Sequence, residues 1–274
     1  MNLHDLKLTP PWEWPAEAGS QLLVTLCDEK APEADRHLAA ELAGELVVMN
    51  DELAAALINI LENGRQPEEI RARAAISLGP VLEQVDTGRF EDAETLEITE
   101  ATFHRIQESL RRIHMDASAP KEVRRRALEG SVRAPQTWHR DAIRAACASD
   151  DDAWKLTAVF CMRFVKGFDD QILEALNSTD SAIHYEAVVA AGNWGVDAAW
   201  PHVADLLASE STEKPLLLAA IEAVPTIRPD DAAEILGDLL DSDDEDVVDA
   251  VEEALTLAKG LSGDAAWGDD DEHE

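Results

Sequence analysis

The chain has 274 residues, 46% of them hydrophobic but only 5% aromatic, so it can bury a sizeable core and must build it mainly from Ala, Leu, Val and Ile. Its formal charge is −34, from 57 acidic against 23 basic residues, which repels phosphate backbones and anionic lipid and so argues against a nucleic-acid or membrane partner. Cys27, Cys147 and Cys161 lie far apart and outside any CxxC pattern, which argues against a disulfide framework or a zinc site.

In chain order, residues 1–15 hold Pro10, Pro11 and Pro15 around Trp12 and Trp14, a pattern hostile to helix, and read as an arm. Its tryptophans either cover the open end of a helical stack or form a docking hook. The arm has no basic leader followed by an apolar run, and no stretch of the chain reaches the roughly 18 apolar residues of a membrane span, so the expected location is cytoplasmic.

From Ala16 the pattern becomes helix, short break, helix. The expected pairs are 21–27 with 33–48, 51–62 with 67–85, 100–115 with 121–133, 139–148 with 151–165, 169–176 with 181–194, 199–208 with 213–224, and 230–240 with 244–259. Breaks rich in Asp, Asn, Ser or Thr supply caps for the second helix of each pair. An acidic insertion at 86–99 interrupts the series, and 260–274 reads as an acidic, disordered tail carrying Trp267.

The second helices align on Asp35, Ile70, Val123, Trp154, Ile183, Leu216 and Val247, at intervals of 35, 53, 31, 29, 33 and 31 residues. Four residues beyond these markers stand Ala39, Ala74, Ala127, Ala158, Ala187, Ala220 and Val251. A small residue at that point lets adjacent helix backbones approach, and its recurrence marks a face that one pair cannot bury alone.

The segments Ile70-Arg71-Ala72-Arg73-Ala74-Ala75, Val123-Arg124-Arg125-Arg126-Ala127-Leu128 and Trp154-Lys155-Leu156-Thr157-Ala158-Val159 resemble HEAT repeats, especially the phycobilisome-lyase-like (PBS lyase) group. The resemblance spans about 16–259. It implies an all-α, right-handed α-solenoid of about seven antiparallel helix pairs, whose second helices line a concave surface that usually holds another protein. His184, Leu217 and Val248 replace the basic residue in later copies, and Asp35 replaces the apolar marker in the first.

Several features could carry function. Between Arg105 and Arg144 ten basic residues face five acidic ones, a local +5. The island could receive an acidic peptide, or its arginines could pair within the repeats. Arg124 occupies the repeat position, which leaves Arg112, Arg125, Arg126, Arg133 and Arg140 as the partner-binding candidates. Trp194 and Trp200, beside Gly192, Gly195 and Pro201, are either wedges between layers or partner contacts.

Asp241–Glu252 has the acidic spacing of a calcium loop, but Asp246 stands where its turn glycine belongs, so helix capping is the better reading. The eight histidines are scattered, and no catalytic constellation, metal site or cofactor motif is evident. The expected function is a non-enzymatic scaffold or adaptor holding a protein or acidic peptide on a concave face. The alternative, implied by the resemblance alone, is a bilin-chromophore lyase or its chaperone subunit.

Overall fold

A computed structural model describes residues 2–88 and 98–264, and all regular structure among them is helical. Two compact units divide the chain, Met1–Arg144 and Ala145–Glu274. The first holds α1 (Leu3–Leu8), α2 (Ala18–Cys27), α3 (Glu33–Leu42), α4 (Asp51–Glu62), α5 (Glu68–Ser77), α6 (Gly79–Gly88), α7 (Glu100–Met115) and α8 (Lys121–Ser131). Helix α9 (His139–Cys147) spans the boundary. The second holds α10 (Asp152–Met162), α11 (Asp169–Ala175), α12 (Ser181–Trp194), α13 (Trp200–Ala208), α14 (Lys214–Ile227), α15 (Ala232–Leu236) and α16 (Glu245–Asp264).

The first unit repeats one loop three times. Asp28, Asn63 and Asp116 end α2, α4 and α7, and each side chain accepts from the backbone N–H two residues on, at Lys30, Arg65 and Ser118. Pro32, Pro67 and Pro120 then open α3, α5 and α8, where a fixed φ suits helix entry. The two helices of each pair turn back on each other across this loop.

A guanidinium clamps each of these turns. Arg36 donates to Leu26 O (3.3 Å), Arg71 to Leu61 O (2.9 Å) and Arg124 to His114 O (3.0 Å). Each carbonyl sits one residue before the end of its helix, in the turn left without intrahelical donors, where positive charge also opposes the negative helix end.

The second unit uses a different loop. Asp151, Asp180 and Asp244 each accept a backbone N–H two residues on, at Ala153, Ala182 and Asp246, and each donates its own N–H to a serine hydroxyl two residues back, at Ser149, Ser178 and Ser242. This Ser-x-Asp cap needs no arginine. Asp244 and Asp246 also hold the Lys214 ammonium, at 2.7 and 2.6 Å, so the calcium-like stretch works as a cap and an ion-pair acceptor.

Within each unit the second helices pack in series, α3 on α5 on α8, and α10 on α12 on α14 on α16. The residues four past the markers, Ala39, Ala74, Ala127, Ala158, Ala187, Ala220 and Val251, are all 0% exposed. Two glycines inside second helices lie against the backbone of a neighbouring second helix. A Cβ on Gly130 would lie 2.4 Å from Ala75 O, and one on Gly192 2.9 Å from Ala223 Cα. Stacked helix pairs buried through such a seam are the α-solenoid architecture.

The structure departs from the sequence reading at several points. Residues 3–8 of the arm are helical because the prolines begin only at Pro10 and Asn2 forms a capping box with Asp5. Trp14 donates to Leu6 O and Thr9 O and packs on the core, whereas Trp12 is 79% exposed, so the two rings differ in role. The expected helix 67–85 breaks at Leu78 into α5 and α6, and 230–240 is a short α15 followed by a 3₁₀ segment. Trp154, expected in a core slot, is only half-buried. Of the acidic insertion, 89–97 lie outside the described residues, as do 265–274 of the tail; 260–264 continue α16.

The seam gives a direct test. Gly130→Ala and Gly192→Ala should each lower stability by about 1–3 kcal/mol through overpacking against backbone. Gly237→Ala, where an added Cβ meets nothing within 4 Å, should be neutral or stabilising by about 0.4–1 kcal/mol. Denaturant midpoints followed by circular dichroism read both effects.

Candidate functional site

The basic island folds into contacts of its own. On α8, Glu122, Arg125, Arg126 and Glu129 stand at helical spacings of three and four. Arg125 reaches Glu122 (2.6 Å) and Glu129 (3.6 Å), and Arg126 reaches Glu122 (2.8 Å) and Glu129 (2.6 Å). Arg125 is only 5% exposed and Glu129 3%.

The expectation that Arg125 faces a partner is therefore corrected: its guanidinium is buried between two carboxylates of its own helix. Arg133 pairs with Glu83 at 2.6 Å, and Arg112 pairs with Glu62. Arg140 is exposed on α9. Arg126 keeps one edge in a groove of about 280 Å³ on the second helices, shared with His37, Glu69, Arg73 and Glu122.

The tryptophans divide differently from the arginines. Trp194 donates its indole N–H to Met162 O at 2.6 Å, and the neighbouring Asn193 donates to Arg163 O, so the end of α12 closes the end of α10. Gly195 ends α12 in the left-handed region, at φ 57°. Trp194 thus ties α12 to α10 and is half-buried. Trp200 is half-buried, with the Arg228 guanidinium 5.5 Å from its ring centroid.

A broad groove lies in the second unit, where the arginine clamp is absent. Helices α12, α13 and α14 enclose about 720 Å³. Its apolar surface comes from Tyr185, Leu206 and Leu216, and its rim carries the exposed carboxylates Asp205 and Glu213. Glu186 also lines it but is held by Arg163 at 3.0 Å.

In this groove His184, which occupies the clamp position of its repeat, meets His202 with Nε2 to Nε2 at 2.6 Å. That contact needs one imidazole to donate and the other to accept, and it fails if both are protonated. Burial lowers both pKa values; the neighbouring His202 lowers that of His184 further, and Asp205 partly opposes the shift at His202. Sequence spacing could not reveal this pair, because its members are 18 residues apart and meet only through the α12–α13 turn. Among the described residues no group of three or more His, Cys, Asp or Glu side chains could hold a metal ion.

A second histidine was also hidden in the sequence. His139 is 0% exposed, stacks on Trp138 with ring centroids 3.8 Å apart, accepts the Gln136 N–H at Nδ1 (2.8 Å) and faces Ser131 Oγ through Nε2 (3.0 Å). Burial pushes its pKa down to about 4. Cys161 is fully buried, and no described helix is long and apolar enough to cross a membrane.

The family model described as HEAT repeats matches residues 170–256, from α11 into α16. No curated protein sequence matches the chain. Among solved structures, Escherichia coli YibA is 16% identical, over 94% of this chain and 85% of its own, with a TM-score of 0.46. An engineered protein is 14% identical over 93% and 85%, at 0.44, and a designed armadillo repeat protein 14% over 87% and 98%, at 0.35. The fold assignment rests on the helix pairs themselves. The chain is a helical-repeat protein, and its residues 170–256 are similar to HEAT repeats.

His139 generates a pH prediction. Its folded-state pKa lies below the ordinary 6.5, so the unfolded chain binds the proton first and stability contributed at neutral pH declines between 6.5 and about 4. The shift corresponds to about 3 kcal/mol. Because many carboxylates titrate in the same range, the readout is a difference: the unfolding midpoint of His139→Gln should depend less steeply on pH than that of the parent chain between pH 7 and 5.

Proposed function

We propose that this chain is a non-enzymatic scaffold that holds a segment of a protein partner against its stacked helix pairs. The observation that carries this reading is the open groove of about 720 Å³ across α12, α13 and α14, with an apolar floor and a polar rim. Such a surface suits an extended segment, whose side chains alternate between floor and rim. The similarity of this region to HEAT repeats supports the same reading. The acidic-peptide version loses its main support, because most of the arginines proposed to receive it are already paired with carboxylates. The bilin-lyase alternative rests on the sequence resemblance alone.

A photo-crosslinking residue installed at Leu206 tests the reading. With cell extract from the source of the protein, adducts should form at this position and not at exposed Glu234, which lies outside the groove. The bulky substitution Ala182→Trp on the groove wall should reduce them at least fivefold. Equal adducts at both positions, or none at Leu206, would remove the groove from the account.

A further inference from the structure

We infer that the groove of the second unit receives a basic, extended protein segment carrying Lys or Arg, an inference that rests on the scaffold reading above. The groove combines a shaped surface with charge of one sign. No Lys or Arg lines the groove. Asp205, on α13, and Glu213, at the entry to α14, are exposed on its rim, and no cation pairs with either among the described residues. The nearest basic residue in sequence, Lys214, is turned away to Asp244 and Asp246.

The other polar groups do not offset this charge. Glu186 is neutralised by Arg163, and the His184–His202 contact excludes protonation of both rings together. Two N–H groups at the start of α12, those of Ala182 and Ile183, are taken by the Asp180 carboxylate, whose negative charge opposes an anion there. The wider field has the same sign. Residues 145–274 contain 31 acidic and 6 basic residues, against 26 and 17 in residues 1–144. Lys155, Arg163, Lys214 and Arg228 are held in ion pairs within the unit, which leaves most carboxylates uncompensated.

The floor defines the rest of the ligand. Leu206 and Leu216 suit apolar side chains, and Tyr185 adds to the lining an aromatic ring, a group that attracts ammonium and guanidinium ions. A segment alternating basic and apolar residues places one set on Asp205 and Glu213 and the other on the floor. A nucleic acid or an acidic peptide meets the same field as repulsion.

The test uses the full chain and two fluorescein-labelled decapeptides, alternating Lys–Leu and alternating Glu–Leu, titrated by anisotropy at about 0.1 M and about 0.5 M salt. The Lys–Leu peptide should bind saturably and more weakly at the higher salt, and the Glu–Leu peptide should not bind. The double variant Asp205→Asn with Glu213→Gln should weaken binding about tenfold, roughly 1.4 kcal/mol, with its circular dichroism unchanged. The control Asp238→Asn with Asp249→Asn removes two exposed carboxylates outside the groove lining and should change affinity less than twofold.

Equal weakening by both double variants would mean diffuse attraction to the acidic unit and would overturn the inference. So would equal binding of the two peptides, or full displacement of the Lys–Leu peptide by spermine at matched charge. If neither peptide binds while the Leu206 crosslink forms, the basic partner is wrong and the scaffold reading survives. If the crosslink fails as well, both fall.

Discussion

Close approach between second helices is the constraint on which the structure depends. Helix backbones can pack this tightly only where side chains are small, and the chain meets the requirement at one register position in six copies, Ala39 through Ala220, with Val251 the exception in the last; all seven are wholly buried. At Gly130 even a methyl group has no room. Because that face is occupied by neighbouring helices, variation is free elsewhere, in the loops, at the basic position and on the rims of the grooves. A solenoid separates these tasks physically: the seam holds the stack, and the edges of the helices meet solvent and ligands.

The two compact units solve the helix-turn-helix problem in different ways. In the first, the Asx turn, the proline and the arginine act together, since the guanidinium supplies donors to a helix end that the turn leaves open. In the second, a Ser-x-Asp cap secures the start of the following helix, and no guanidinium is required. Releasing the arginine position changes what can occupy it. His184 stands there in its copy and meets His202 on the wall of the groove across α12, α13 and α14, so the loss of a structural cation coincides with the appearance of a surface whose lining lacks Lys and Arg.

Much of the helical framework was legible in the sequence because apolar spacing and caps are local properties. The ranges 51–62 and 181–194 match α4 and α12 to the residue. The role of Arg71 and Arg124 as repeat-position residues was also readable, although the carbonyls they clamp were not. Other features depend on contacts that spacing does not encode. Arg125 looked like a surface cation and is buried, because Glu122 and Glu129 stand on the same helix face to receive it. The helix at Leu3–Leu8 was overshadowed by prolines that come after it, and the His184–His202 contact exists only once α12 and α13 are packed. The groove is a product of three helices and has no linear signature.

Native-state hydrogen exchange read by mass spectrometry tests most directly the claim that the small-residue seam holds each unit together. Amides in opened segments exchange according to the local opening energy, so the slowest segments report what holds the stack. The account predicts that α5 and α8 in the first unit, and α12 and α14 in the second, exchange last, with α2, α11 and α13 exchanging earlier. Slowest exchange in those first helices, or uniform protection across both layers, would contradict it.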